Sequence, residues 1–128
     1  MRAMFIDVAA MEVFKIKLPD DKPQLFEAIK ECIGCKVSAL GAVFPNNDVL
    51  YVNQLGMLES ELYFKHSLAK TPMADNAIVL GSVLNTGTPR SVRSTLASTR
   101  ASVQFMDKWA TLEWAIAAKD SFACGRAD

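Results

Sequence analysis

Apolar and polar positions alternate over two early stretches, Met4-Phe5-Ile6-Asp7-Val8 and Val13-Phe14-Lys15-Ile16-Lys17-Leu18. The second, with lysine at alternate positions, has the period of a half-buried antiparallel strand. Pro19-Asp20-Asp21-Lys22-Pro23 then stops the strand and starts a helix: Asp20 or Asp21 can accept from first-turn N–H groups, and Pro23 suits the opening turn. The helix is predicted over Gln24 to Ile33, with Phe26, Ile29 and Ile33 inward, and Gly34 supplies the left-handed residue that ends it. Lys36 to Phe44 and Asp48 to Asn53 form a hairpin through the turn-forming Pro45-Asn46-Asn47, and Gly56 breaks its second strand. Glu59 to Ala69 fits a helical turn or a strand equally well. The nearly unbroken apolar run Ala77 to Leu84 reads as a central strand buried on both faces, closed by Asn85-Thr86-Gly87.

After Thr88, which can cap, helical spacing predicts a long C-terminal helix from Pro89 to about Lys119, interrupted near Ser98-Thr99. Residues Ser121 to Asp128 read as a flexible tail. The expected fold is therefore α/β (α+β): one domain over residues 1–120 and a mixed or antiparallel sheet of about five strands. One short helix and the long C-terminal helix complete it. There is no internal repeat or low-complexity segment.

Composition narrows the class more than the function. At 128 residues, 51% of them hydrophobic, the chain can bury a core without a disulfide or metal. Fourteen basic and fourteen acidic side chains cancel, so no net field draws it to nucleic acid or to a membrane surface. Charged residues break every apolar stretch well short of the ~20 residues a membrane span needs. Asp7 arrives before a signal-peptide core can develop. A cytoplasmic location is expected, with Cys32, Cys35 and Cys124 as thiols.

Ile33-Gly34 after the first helix is followed by Asp48-Val49-Leu50-Tyr51-Val52-Asn53 leading to Gly56-Met57-Leu58. Phe64 comes next, then Pro72 with Ala74-Asp75-Asn76, and Ile78-Val79-Leu80-Gly81. In this order the pieces resemble a small family of unknown function carried by phages, plasmids and their hosts. Its members show an IGG after the first helix, a DVLYVNEEG-LL hairpin and a PLAGxxVVLG strand. The resemblance covers roughly residues 1 to 105. Cys35 stands where the family often has its second glycine, and Asp75 near where it has another. The resemblance implies a phage or mobile-element accessory protein acting in a host bacterial cytoplasm, and it brings no assigned activity or functional residues.

Candidate chemistry is sparse. Cys32-Ile33-Gly34-Cys35 is a CxxC, but a redox pair needs its first thiol at a helix N-terminus, where the dipole lowers its pKa. This one falls at a helix C-terminus. A zinc site would have to recruit Cys124 and His66 at irregular spacing, so neither a metal nor another cofactor is expected. The single histidine, His66, stands beside Lys65 and near Glu59 and Glu61, with no nucleophile or metalloprotease motif. Asp20 and Asp21 read as caps. No catalytic residue is predicted.

Two surfaces on the predicted long helix carry more. No acidic residue lies between Asp75 and Asp107. At about 100° per residue, Arg90, Arg93 and Arg100 fall within roughly 80° of one another among Ser91, Ser94, Thr95 and Ser98. Such a stripe can hold phosphate through bidentate guanidinium contacts, or can be an ordinary solvated face. Phe105, Trp109, Leu112 and Ile116 form a core stripe. Val103, Met106, Ala110, Trp114 and Ala117 form a second apolar sector, which leaves under half the circumference polar (Gln104, Asp107, Lys108, Thr111). Two greasy faces predict self-association, a homodimer above all, or a host protein partner.

The reading that gathers these features is a non-enzymatic accessory protein that binds a host factor, in the manner of an anti-defence protein. Its rival is a homo-oligomeric sponge for a nucleotide or other small phosphorylated ligand. A third is an enzyme whose site is too dispersed to recognise. Native mass spectrometry of protein from infected cells separates the first two by what stays bound.

Overall fold

Turn residues divide the chain much as their chemistry predicts. In the computed structural model, which describes residues 1–56, 61–107, 110 and 112–117, strands β1 (Arg2–Asp7) and β2 (Glu12–Lys17) form the first hairpin. Helix α1 (Lys22–Ile33) follows. Asp21 caps it by accepting from the Gln24 N–H, Pro23 lies in its first turn, and Gly34 ends it at φ 79°. Strands β3 (Ser38–Val43) and β4 (Asp48–Asn53) form the second hairpin. Its turn places Asn47 at φ 67°, a conformation asparagine tolerates. Strands β5 (Leu62–His66), β6 (Met73–Ala74), β7 (Ala77–Ser82) and β8 (Pro89–Arg90) come next, then helix α2 (Leu96–Ser102) and strand β9 (Val103–Asp107).

The strands pair antiparallel into two sheets. The larger runs β2-β1-β7-β4-β3, with β8 pairing the end of β7 alongside β1; the smaller runs β6-β5-β9. Period-two alternation on β7 sends Ala77 and Val79 to one core and Ile78 and Leu80 to the other. The run of buried residues predicted to be a central strand is one. On one face, Leu25, Ile29 and Ile33 of α1 pack with Ala3, Phe5, Val49, Ile78 and Leu80. On the other, Met4, Ile6, Val13, Leu50, Val52 and Val79 meet Phe64 of β5, with Leu96, Val103 and Phe105 half-buried against them. The architecture is mixed α+β with antiparallel sheets.

Three expectations are corrected. The sheet strands number nine among the described residues, in two sheets, rather than about five. The inward face of α1 is built by Leu25, not Phe26, which is partly exposed and meets Tyr51 edge-on at 6.3 Å. The largest correction concerns the long C-terminal helix. Residues 89–107 instead give a strand, an extended loop, the short α2 and β9; among the described residues beyond β9, 110 and 112–117 are helical. Pro89 and Arg90 extend the sheet beside Ser82 and Gly81. Thr95 opens α2 by accepting from the Ser98 N–H. Within α2 the Ser98, Thr99 and Ser102 hydroxyls donate to the carbonyls of Thr95, Thr95 and Ser98, contacts that compete with helix propagation. Val103 to Asp107 then pair residue for residue with His66 to Leu62. That ladder is long-range in sequence, so local spacing cannot register it.

Among the described residues, no helix is long and apolar enough to cross a membrane. The predicted tail over 121–128, together with Met57, Leu58, Glu59, Lys108, Trp109, Thr111, Lys119 and Cys124, lies outside the described residues.

Candidate ligand-binding cleft

The β1–β2 register sets Arg2 directly opposite Lys17 and Met4 opposite Lys15. Directly opposed residues share a face, and residues two apart on a strand share it too, so Arg2, Lys15 and Lys17 project from one side of the sheet edge. It is the side on which Met4 enters the core. The segment after β8 closes over this corner. The Val92 N–H donates to the Arg2 carbonyl at 2.9 Å, and the Arg2 N–H donates to Ser91 Oγ at 2.9 Å. Between them lies a cleft of about 500 Å³ lined by Arg2, Lys15, Lys17 and Arg93, by Ser94 and Thr95, and by Ala3, Met4, Ile16, Val92 and Leu96. Among the described residues no carboxylate lines it. Like charges directly opposed on a sheet repel, and among the described residues no ion pair offsets Arg2, Lys15 or Lys17.

A buried carboxylate holds the far wall. Asp48 is fully buried at the start of β4. It accepts from the Arg93 N–H at 2.9 Å, the Ser94 N–H at 2.8 Å, the Ser94 hydroxyl at 2.6 Å and Asn46 Nδ2 at 3.2 Å. Arg93 Nη1 stands 3.9 Å from the same carboxylate. One side chain thereby fixes the backbone of residues 93–94, where the chain turns from β8 toward α2.

The three arginines predicted to form a stripe are dispersed, because the helix that would align them is absent. Arg93 lines the cleft, partly neutralised by Asp48. Arg90 sits exposed on β8. Arg100, near the end of α2, turns its Nε to the Val13 carbonyl on the open side of β2 at 3.0 Å. Arg2, Lys15 and Lys17 were the cations the stripe argument missed. The Lys15-Ile16-Lys17 alternation places two of them on one face; only the hairpin register adds Arg2.

His66 is buried, 5% exposed, and stacks on Phe44 with ring centroids 4.3 Å apart. The Leu68 N–H donates to its Nδ1 at 3.1 Å, which fixes the neutral ring with its proton on Nε2. Burial first, and the Lys65 charge second, push its pKa down. It faces a crevice of about 140 Å³ with Asn46, Ser94, Ser98, Thr99 and Ser102. Each of those hydroxyls donates elsewhere, to Asp48 or to a backbone carbonyl of α2 or its cap. Among the described residues no serine–histidine hydrogen bond forms.

Cys32 occupies the last turn of α1 and Cys35 follows the Gly34 cap, the helix end at which the dipole opposes a thiolate. Burial, with Glu31 for Cys32 and with Asp75 for Cys35, pushes both thiols up. No three His, Cys, Asp or Glu side chains among the described residues gather closely enough to hold a metal ion.

The second apolar sector is redistributed as well. Val103 and Met106 lie on β9, and Val103 packs toward the core. Ala110, Trp114 and Ala117 fall in the later helical stretch. Trp114 is half-buried over an apolar cleft of about 440 Å³ that includes Ala39, Val52, Pro72 and Met73 of its own chain. Because Val103 and Met106 lie on a strand, they cannot share one helix face with Ala110, Trp114 and Ala117.

No protein-family model matches the chain, and comparison with curated proteins and with solved structures yields no match.

Proposed function

We propose that the protein is a non-enzymatic binding protein that holds a small phosphorylated ligand in the cleft between the β1–β2 edge and residues 92–96. One observation carries the reading: Arg2, Lys15, Lys17 and Arg93 converge on a single cleft that no carboxylate of the described residues lines. Opposed like charges cost free energy in the unliganded chain, and a phosphate between them turns that cost into attraction. The volume suits a ligand of nucleotide size, and Met4, Val92 and Leu96 offer an apolar floor beneath the charged rim. This is the sponge reading of the sequence, moved from a helix face to a sheet edge. A cytoplasmic location, the phage or mobile-element setting and an anti-defence role belong to the same proposal. The first rests on the interrupted apolar stretches of the sequence, and the bacterial host, the setting and the role on the family resemblance alone.

Calorimetric titration with pyrophosphate and with nucleoside triphosphates tests it. Micromolar binding that weakens as salt rises from 50 to 300 mM is expected. Lys15→Glu with Lys17→Glu should lower affinity at least tenfold while moving Tm by only a few degrees, because both side chains are exposed. Failure of the unmodified protein to bind any of these probes at millimolar concentration would overturn it.

A further inference from the structure

The two edges of the larger sheet are treated very differently. At one edge β2 carries Glu12, Lys15 and Lys17, and Arg100 occupies the outward carbonyl of Val13. Charged side chains and a capped backbone are how sheets avoid pairing with other chains. At the other edge β3 has none of this. Residues 37–47 contain no charged side chain, and no described residue pairs with the outer side of β3. Leu40 and Val43 are 56% and 60% exposed. They stand opposite Tyr51 and Val49, on the face α1 covers, yet remain largely exposed there. Phe26 meets Tyr51 beside them, so open backbone groups adjoin an apolar patch.

We infer that β3 pairs with β3 of a second copy across a two-fold axis, joining the larger sheets of two molecules edge to edge. An antiparallel edge is self-complementary under a two-fold operation. A pairing centred between Gly41 and Ala42, where the β3 register shifts, sets Leu40 of one copy against Val43 of the other on the α1 face. Lys36 falls against Asn47 in the neutral turn of the copy, so no like charges meet. The operation brings Leu40 and Val43 of both copies together and buries them. It leaves the β2 edges, with their basic clefts, at opposite ends of one sheet of about ten strands, within the size that open twisted sheets reach. The inference does not depend on the cleft's ligand: the surface is on the opposite edge.

Sedimentation equilibrium on the full chain from 1 to 200 µM, with hydrogen exchange over residues 38–43, tests it. The expected result is twice the 14.0 kDa chain mass and protection of that segment that rises with concentration. Leu40→Lys with Val43→Lys should return the mass to one chain with Tm preserved, while Leu84→Lys, equally exposed elsewhere, should leave the dimer intact. A single-chain mass at every concentration, or a dimer that survives the double lysine variant, would overturn it. The first outcome would assign the edge to another protein's strand or to another segment of this chain. If the double variant does not fold, concentration-independent exchange over 38–43 in the unmodified protein overturns the inference by itself.

Discussion

At the scale of single residues, two buried polar side chains determine how the loops are held. Asp48 is read from the sequence only as the first residue of a strand, yet it gathers three donors from residues 93 and 94. Asp48→Ala would leave those part-buried donors without their acceptor. A loss of about 3 kcal/mol, or roughly 10 °C in Tm, is expected. Weaker anion binding should accompany it, since the cleft wall loses its anchor; unchanged melting would show that the loop is held elsewhere. His66 contributes through its protonation. Its folded pKa lies below the ordinary ~6.5, so the unfolded chain takes up the proton first. The neutral ring's packing is therefore fully available above about pH 6.5, and stability falls as pH drops through that value. It is the chain's one histidine. Melting temperature should decline between pH 7.5 and 5.5, and His66→Gln should flatten that decline; an equal slope in both proteins would assign it to carboxylates.

At the scale of elements, residues 89–107 show local and long-range preferences in conflict. Val103 and Phe105 satisfy a strand period, while Phe105, Trp109 and Leu112 satisfy a helical one. Pairing with β5 selects the strand, because each residue then gains a ladder partner and Val103 and Phe105 reach the core. The β7–β8 contact has a different constraint. A Cβ at Gly81 would stand 2.4 Å from the Ser91 carbonyl oxygen, too close for any side chain. Gly81→Ala should push β8 and the following loop outward, costing about 2 kcal/mol and lowering anion affinity together. Gly34→Ala is the useful contrast. Its Cβ would meet nothing within 4 Å, so only its left-handed backbone is strained, at about 1 kcal/mol, and binding should be untouched.

At the scale of the whole molecule, the sheet joins two surfaces with different chemistry, a charged cleft at its β2 edge and a neutral, apolar strand at its β3 edge. If both are used, the dimer is a bivalent binder with its sites far apart. Binding of two phosphorylated ligands per dimer, one per chain, is then the expected stoichiometry. The sequence by itself determined the punctuated first half: an aspartate cap at Asp20 or Asp21, the Gly34 stop, the Pro45–Asn47 hairpin and the doubly buried β7. Each of these depends on a residue's own backbone preference or on contacts a few positions away. It also placed the CxxC at the helix end where a thiolate is disfavoured. Tertiary structure alone decided that residues 89–107 break into strand, loop, short helix and strand. It alone set Arg2 across from Lys17 and buried Asp48 beneath residue 93. Those outcomes depend on register and on pairings dozens of residues apart, where the free energy comes from shared ladders and buried area rather than from any local pattern.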